Sequence, residues 1–394
     1  MIWLDVARLL ERAVVGSFTG IDRVELAYAE NLLAIAPERT RFVMLNRWSS
    51  RFSLLPDRAI RRFLARVRQA WNDGQIQSCR ADALRLMGRA VVSPCPADPA
   101  AVYLLVSHRH LQRQAALETA LRRSGAAFVP LIHDLIPLEF PEYGRPGEAD
   151  RHRRRIATVR RLANGVVVNS AATGSALASY LPAERPVLVA PLGVDVKSLD
   201  VPIDAPDDAR PYFLAVGTIE PRKNHLLLLH LWRRLIARYG ERAPRLLIIG
   251  RRGWENENVL DLLDRCEVLR GHVTECGNIH DSTMAGLMHG ARALLMPSFA
   301  EGFGLPVAEA LACRTPVLCS DLPALREAGG NVPDYLDPLD TPAWQAAVMD
   351  YAVEPSPRRA EQKARMPEWQ PTSWKAHVSA VLDFAARQSN GRPT

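Results

Sequence analysis

Glu301 and Glu309 stand eight positions apart in the stretch EGFGLPVAE, with two glycines, a phenylalanine and a proline among the residues between them. A carboxylate that accepts from two vicinal hydroxyls is a good clamp for a ribose, and a second carboxylate nearby can grip the hydroxyls of a sugar. Gly302 and Gly304 let backbone N–H groups come close to a ligand. A helix starting near Leu305 or Pro306 turns its positive end toward the same place, and proline suits a first helical turn. Glu309 lies about one turn into that helix, so it faces roughly the same side as Glu301. Two acids at a helix start are also what the helix dipole alone favours, so the pair by itself leaves that bland reading ahead.

The stretch GTIEPRKNH (217–225) follows the apolar run YFLAV. Gly217 permits a tight exit from a strand, and Arg222 and Lys223 then stand at the start of a helix. Two cations beside free backbone N–H groups make a diphosphate site, and they fit a solvated basic helix start equally well.

The elements that must hold these residues are visible as short apolar runs. RFVMLN (41–46), AVYLLVS (101–107), AFVPLIHD (127–134), GVVVNS (165–170) and PVLVAPLG (186–193) read as strands of a first set. YFLAVGT (212–218), RLLIIG (245–250), ALLMPS (293–298) and PVLCSD (316–321) form a second. Runs that are continuously apolar mark strands covered on both faces, as in parallel sheets flanked by helices. Amphipathic stretches such as LLLLHLWRRLIARYG (226–240) lie between them, which predicts α/β with doubly wound sheets. The segment VKSLDVPIDAPDDARP (196–211) is rich in Asp and Pro and reads as a linker. The division is therefore 1–195 as a first Rossmann-like domain, 196–370 as a second, and 371–394 as a helix packing back on the first. Ligands in such sheets sit beyond the carboxyl ends of the strands, where both motifs fall.

Composition narrows the class. At 394 residues, 48% hydrophobic and 24% charged, the chain is an ordinary globular protein of two domains. No apolar run is long enough to span a bilayer, and the start MIWLDVARLLERAVV is too acidic for a signal peptide, so a cytoplasmic location is expected. The net charge of +7 is concentrated in RAIRRFLARVRQ (58–69) and RPGEADRHRRRIATVRR (145–161), which suit an anionic membrane surface or a solvated helix face. Nothing resembles a nucleic-acid-binding segment. The six cysteines form no CxxC pair, no HExxH or Asp-x-Asp occurs, and GFGLPV lacks the third glycine of a dinucleotide fingerprint. No metal and no cofactor is expected.

The run MPSFAEGFGLPVAEALACRTPVLCSDLPALREAGG (296–330) resembles the donor-site signature of retaining family 4 glycosyltransferases of the GT-B fold, with Glu301 and Glu309 as its E-x7-E motif. VGTIEPRKNH, ECGNIHDSTMAGLMHGA (275–291), TGIDRVELAYAENLL (19–33), IHDLIPLEFPE (132–142) and VVVNSAAT (166–173) resemble further blocks in the same order, over nearly the whole chain. The resemblance implies two Rossmann-like domains facing across a cleft, the first for the acceptor and the second for a nucleotide-sugar donor. It implies that Glu309 binds the ribose, and that Glu301 with the backbone of Phe303, Gly304 and Leu305 holds the donor sugar. Lys223 and Arg222 then neutralise the diphosphate. Asn278, Ile279 and His280 meet the base, His133 lies near the donor sugar, and Gly16 and Gly20 fall in the loop after the first strand. Many relatives carry an arginine directly after the glycine of the VG strand end, where this chain has Thr218. That departure raises the question of whether Arg222 supplies the missing charge. The flavour of EPRKN and HDLIPL is similar to mannosyl- and related transferases of bacterial surface polysaccharide. The implied reaction moves a hexose, mannose first, from GDP-mannose or a UDP-hexose to a glycan or polyprenyl-linked acceptor, retaining configuration without a metal. A GT-B epimerase or phosphorylase-like enzyme, or a non-catalytic nucleotide-sugar binder, stands as the alternative.

Overall fold

The computed structural model describes residues 1–46, 48–73, 75–90, 93–194, 210–277, 279 and 281–390. The chain divides into two compact units, one of Met1–Leu138, Gly147–Gly193 and Thr372–Thr394, the other of Glu139–Pro146 and Val194–Pro371. All but the last two residues of the 196–211 linker, and both Asn278 and His280, lie outside the described residues.

The first unit is built on a seven-stranded sheet. Its strands are β1 (Ile2–Asp5), β2 (Thr40–Asn46), β3 (Arg51–Leu54), β4 (Val102–Leu105), β5 (Ala127–Ile132), β6 (Val166–Val168) and β7 (Val187–Val189). They lie in the order β3-β2-β1-β4-β5-β6-β7. All neighbours are parallel except β3, which pairs antiparallel with β2. Register puts Trp3, Tyr103 and Phe128 side by side across β1, β4 and β5. Phe52 of β3 joins the same aromatic layer, its ring centroid 4.4 Å from that of Tyr103. Such contacts add to the area these rings bury and fix the pleat face that meets the helices. The helix Trp374–Asn390 belongs to this unit: His377 Nδ1 donates to the Pro191 carbonyl at 2.9 Å, and Tyr28 donates its hydroxyl to His377 Nε2 at 2.7 Å.

The second unit has six strands, β8 (Tyr212–Val216), β9 (Arg245–Ile249), β10 (Val273–Gly277), β11 (Leu294–Met296), β12 (Val317–Ser320) and β13 (Asp334–Leu336). All are parallel, in the order β10-β9-β8-β11-β12-β13. Its core gathers Phe213, Trp232, Trp344 and Tyr351, all fully buried. The two buried indoles spend their N–H groups on the carbonyls of Pro244 and Asp337, so neither leaves an unpaired donor inside. Strand order reverses between β8 and β11, and the loops leaving those two strands flank the crevice where doubly wound sheets bind ligands.

Two details differ from the sequence reading. β1, β3, β10 and β13 are strands not recognised in the apolar runs. β3 and β10 are edge strands with exposed or half-buried positions, so they lack the continuous apolar pattern of covered strands. Gly16 and Gly20 do not lie directly after the first strand. The helix Ala7–Val15 intervenes, Gly16 caps it with φ of 79°, and Gly20 opens the next helix, Gly20–Ile35. Asp5 and Glu25 explain the extra helix: their carboxylates accept from the N–H groups of Ala7 and Leu9, two donors that the helix start leaves open.

Many of the arginines in the two basic segments are ion-paired. Arg61, Arg66 and Arg68 meet Asp57, Asp82 and Glu30, and Arg151, Arg153, Arg155 and Arg161 meet Glu148, Asp150, Glu148 and Glu118. Among the described residues no helix is long and apolar enough to cross a membrane.

Candidate active site

β8 ends at Val216 and Gly217 turns the chain out with φ of 141°. The exit is fixed by backbone bonds, Gly217 N–H to the Ile249 carbonyl and Ile219 N–H to the Arg251 carbonyl, each 2.9 Å. A Cβ at Gly217 would lie 3.2 Å from Lys223 Cε, so the absent side chain is the space that the lysine stem occupies. Pro221–Lys223 make a short 3₁₀ turn, and Asn224 ends it in the left-handed region with φ of 54°. The Asn224 amide donates to the Pro338 carbonyl, which holds the turn against the loop that follows β13.

The loop after β11 is joined to this turn. Phe299 N–H donates to the Arg222 carbonyl at 2.8 Å, and Arg222 Nη1 donates to the Ala300 carbonyl at 2.9 Å. Side chains complete the join. Lys223 Nζ lies 2.5 Å from Glu301 Oε1, Arg222 Nη1 lies 2.8 Å from Glu301 Oε2, and Arg222 Nε lies 2.6 Å from Glu220 Oε1. Two cations and two anions thus balance in a buried cluster, where the Glu220 and Glu301 side chains are 4% and 7% exposed. Burial pushes the Glu301 carboxyl upward, but Arg222 and Lys223 outweigh it and hold the pKa down at about 2. Burial pulls the Lys223 ammonium below its ordinary range, and the Glu301 carboxylate limits the fall. His225, buried at the start of the following helix, is pushed down to about 4 by burial and then by Lys223, so it is neutral at pH 7.

Glu301 leads into Gly304, which caps the helix Leu305–Ala312 at φ of 97°. Its Cβ would fall 2.5 Å from Leu325 Cδ2, so backbone conformation and packing both require glycine. Phe303 is buried, Gly302 and Leu305 are half-buried, and Glu309 is a half-buried residue one turn into the helix. Thr218 is half-buried beside Gly217, and half-buried Ile279 lies in the loop after β10. The crevice loops rest on the segment Glu139–Pro146. The Tyr143 ring stacks on Phe299 with centroids 5.7 Å apart, Trp254 Nε1 donates to the Tyr143 carbonyl, and the Arg145 guanidinium lies over the Trp254 ring.

The structure therefore brings Gly217, Thr218, Arg222, Lys223 and Glu301 to Leu305 onto adjoining loops of the second unit. His133, Gly16 and Gly20 belong to the first. His133 follows β5, is 6% exposed, and its Nε2 donates to the Val106 carbonyl at 2.8 Å. It packs edge to face with His108, which packs in turn with His152, and burial lowers the pKa of all three. Sequence reasoning missed Glu220, whose partner is set by the turn geometry and not by spacing, and it missed Tyr143 and Trp254, which meet only in three dimensions. Among the described residues no group of three or more His, Cys, Asp or Glu is arranged to hold a metal ion.

The loops of the charged cluster fall within a family match: residues 198–331 fit the family described as Glycosyl transferases group 1. The second unit carries a glycosyl transferases group 1 domain. This domain contains every residue of the charged cluster. Among curated relatives, the chain is 34% identical over 172 residues to O-antigen chain mannosyltransferase B of Escherichia coli, covering 44% of this chain and 45% of that one. The chain spans less than half the length of the curated relatives it matches first. In fold it is similar to sucrose-phosphate synthase of Thermosynechococcus elongatus, with a TM-score of 0.66, 15% identity and 99% of each chain covered. It is similar also to Anabaena Alr3699/HepE, solved in complex with UDP, with a TM-score of 0.63, 14% identity, and 98% of this chain and 99% of that one covered. The two units, one all-parallel and the other parallel but for β3, are those of the GT-B fold.

Proposed function

We propose that the chain is a glycosyltransferase of bacterial surface-polysaccharide synthesis, moving a hexose, mannose first, from a nucleoside diphosphate sugar to a glycan or lipid-linked glycan. The observation that carries this is the buried cluster of Arg222, Lys223, Glu220 and Glu301 on the loops that flank the strand-order reversal of the group 1 domain. Preorganised cations in a water-poor site stabilise charge that develops on a leaving diphosphate without reorganising. The mannosyl choice and the polysaccharide setting rest on the O-antigen mannosyltransferase relative; the UDP bound by the Anabaena protein supports a nucleoside diphosphate donor without fixing its base, so a UDP-hexose stands beside the first choice. GDP-mannose is the proposed donor.

In this reading Lys223 and Arg222 meet the diphosphate, Glu301 and the backbone of Gly302 to Leu305 hold the donor sugar, and Glu309 clamps the ribose. Ile279 and its neighbours meet the base, His133 lies toward the sugar, and Gly16 and Gly20 leave room for the acceptor. The acceptor hydroxyl attacks the anomeric carbon from the face that the diphosphate leaves. The new C–O bond forms as the bond to the β-phosphate oxygen breaks, and a phosphate oxygen takes the hydroxyl proton. Configuration is retained, no covalent glycosyl-enzyme forms, and no divalent ion is required, because the two cations and the N–H groups at Leu305–Ala312 carry the charge. We place the enzyme in the cytoplasm at the inner membrane face, through arginines outside the ion pairs such as Arg58, Arg62, Arg154 and Arg160.

The test is the product formed from an α-linked donor, read by NMR, with and without EDTA. An α linkage formed equally in both supports the reading. A β linkage overturns retention, and loss of activity in EDTA restored by magnesium overturns metal independence.

A further inference from the structure

The first unit contains a pocket of about 400 Å³ where the end of β2, the segment after β4 and the helix Arg80–Ala90 converge. It lies beyond the carboxyl ends of strands, where sheets of this type bind ligands. Nothing in the transfer chemistry above uses it. One side is apolar: Met44 and Met87 line it, and Trp48 and Leu84 stand at it with 78% and 50% of their surface exposed. Large apolar side chains left open around a cavity of small-molecule size mark a binding surface. The charged lining residues are Arg109, Arg113 and Glu11. Arg109 pairs with Glu11, whereas the exposed Arg113 side chain has no hydrogen bond or ion pair among the described residues.

His110 lies between the two arginines in sequence and lines the same pocket. It is a non-glycine residue held at φ of 70°. Its side chain is 7% exposed, and Nε2 has no hydrogen-bond partner, with Asp5 Oδ2 at 3.5 Å. A strained backbone and a buried imidazole nitrogen held near a carboxylate without a hydrogen bond are the kind of cost that binding sites retain.

An apolar wall beside a cationic rim selects a ligand with both properties. We propose that this pocket binds the phosphate end of a single-chain alkyl or isoprenyl phosphate, with the chain along Met87, Leu84 and Trp48 and the phosphate on Arg113 and Arg109. At roughly 30 Å³ per water-sized group, the volume holds on the order of a dozen non-hydrogen atoms, enough for the phosphate and the first part of a chain. A bare phosphate leaves the apolar wall wet, and a neutral chain leaves the arginines unused. That this amphiphile is the carrier of the acceptor glycan rests on the transfer reading. The binding itself does not.

The experiment is calorimetric titration of the full chain with dodecyl phosphate below its micelle concentration, against inorganic phosphate and dodecyl maltoside. Dodecyl phosphate should bind at least tenfold more tightly than either. Gly88→Phe should abolish this binding: Gly88 lines the pocket, a Cβ there meets nothing within 4 Å, and removing a helix glycine does not weaken the helix. Arg113→Glu should weaken dodecyl phosphate tenfold or more and leave dodecyl maltoside unchanged. The proposal is overturned if dodecyl phosphate binds no better than the maltoside, or if folded Gly88→Phe binds it as the wild type does. Retention on anionic phospholipid vesicles without binding of monomeric dodecyl phosphate overturns it in favour of surface docking. A parallel titration with GDP and UDP separates the readings, because loss of nucleotide binding speaks against the transferase and not against the pocket.

Discussion

The Lys223 ammonium and the Glu301 carboxylate are 78 residues apart in the chain and meet at 2.5 Å inside the second unit. Their contact joins the loop after β8 to the loop after β11, and Arg222 repeats the join from the neighbouring position. Both loops leave the sheet at its strand-order reversal, so the fold itself brings the two motifs together. Each cation holds the acid ionised, and the acid keeps each cation tolerable in a buried place.

Removing one member should therefore cost stability as well as activity. Glu301→Gln leaves Lys223 and Arg222 facing a neutral amide in a buried site, and breaking such a pair costs about 3–5 kcal/mol. The urea midpoint of the second unit should fall with little change in slope. The double variant Lys223→Met, Glu301→Leu should regain much of that stability and no activity. An unchanged midpoint for Glu301→Gln would contradict the paired cluster.

Stability should fall in acid in two windows. His225 and His377 are held at about 4 against an ordinary 6.5, His225 by burial and then Lys223, His377 by burial against its bond to Pro191. Both are neutral when folded, so the unfolded chain gains their protons first, and stability present above pH 6.5 is lost as pH falls toward 4. The loss reaches about 3 kcal/mol for each at the bottom of that window. Glu301 acts lower, its contribution complete above 4.5 and lost as pH falls toward 2. Melting temperature between pH 8 and 4 should drop, and His377→Phe should make the drop shallower without removing it, because His225, His108, His133 and His152 are also held neutral by burial. A flat wild-type profile would refute both assignments.

Continuous apolar runs revealed the covered strands because both faces of β4, β5, β8, β9, β11 and β12 are packed. β3 and β10 were hidden because edge strands alternate or stay half-exposed, and β1 because four residues followed at once by a helix look like its first turn. In the site, Gly217, Gly304 and the order of charges could be read, since each answers a local backbone demand. The partnership of Glu220 with Arg222 could not, nor the support of Phe299 by Tyr143, because these depend on where separate loops end up. The histidine neighbours of His133 were invisible for the same reason: β4, β5 and a helix bring His108, His133 and His152 together from three places in the chain.

Glu309→Gln should weaken nucleotide binding, since the residue sits one turn into Leu305–Ala312, the helix that starts just after Glu301. Charge-assisted bonds to hydroxyls are worth about 1.5–3 kcal/mol each, so the dissociation constant of GDP or UDP should rise by roughly ten- to a hundredfold. Calorimetric titration reads it directly, and an unchanged constant would remove the ribose clamp.

In the proposed reading Arg222 and Lys223 share the leaving-group work unequally, and Thr218 provides the means to test it. Lys223 has one charged nitrogen, 2.5 Å from Glu301, and in the proposed reading that charge also meets the diphosphate. Lys223→Ala should then cost about two orders of magnitude in turnover. Arg222 also holds Glu220 and the Ala300 carbonyl, so Arg222→Ala should lose turnover and stability together. Arg222→Lys keeps the charge but not the planar fork, and should recover only part of either. If Arg222 supplies the charge that an arginine at position 218 gives in many family members, adding Thr218→Arg to Arg222→Ala should restore turnover without restoring the melting temperature. That split is the decisive result. Recovery of neither quantity would confine Arg222 to holding the two loops together, and recovery of both would mean that the stability loss came from charge and not from the fork.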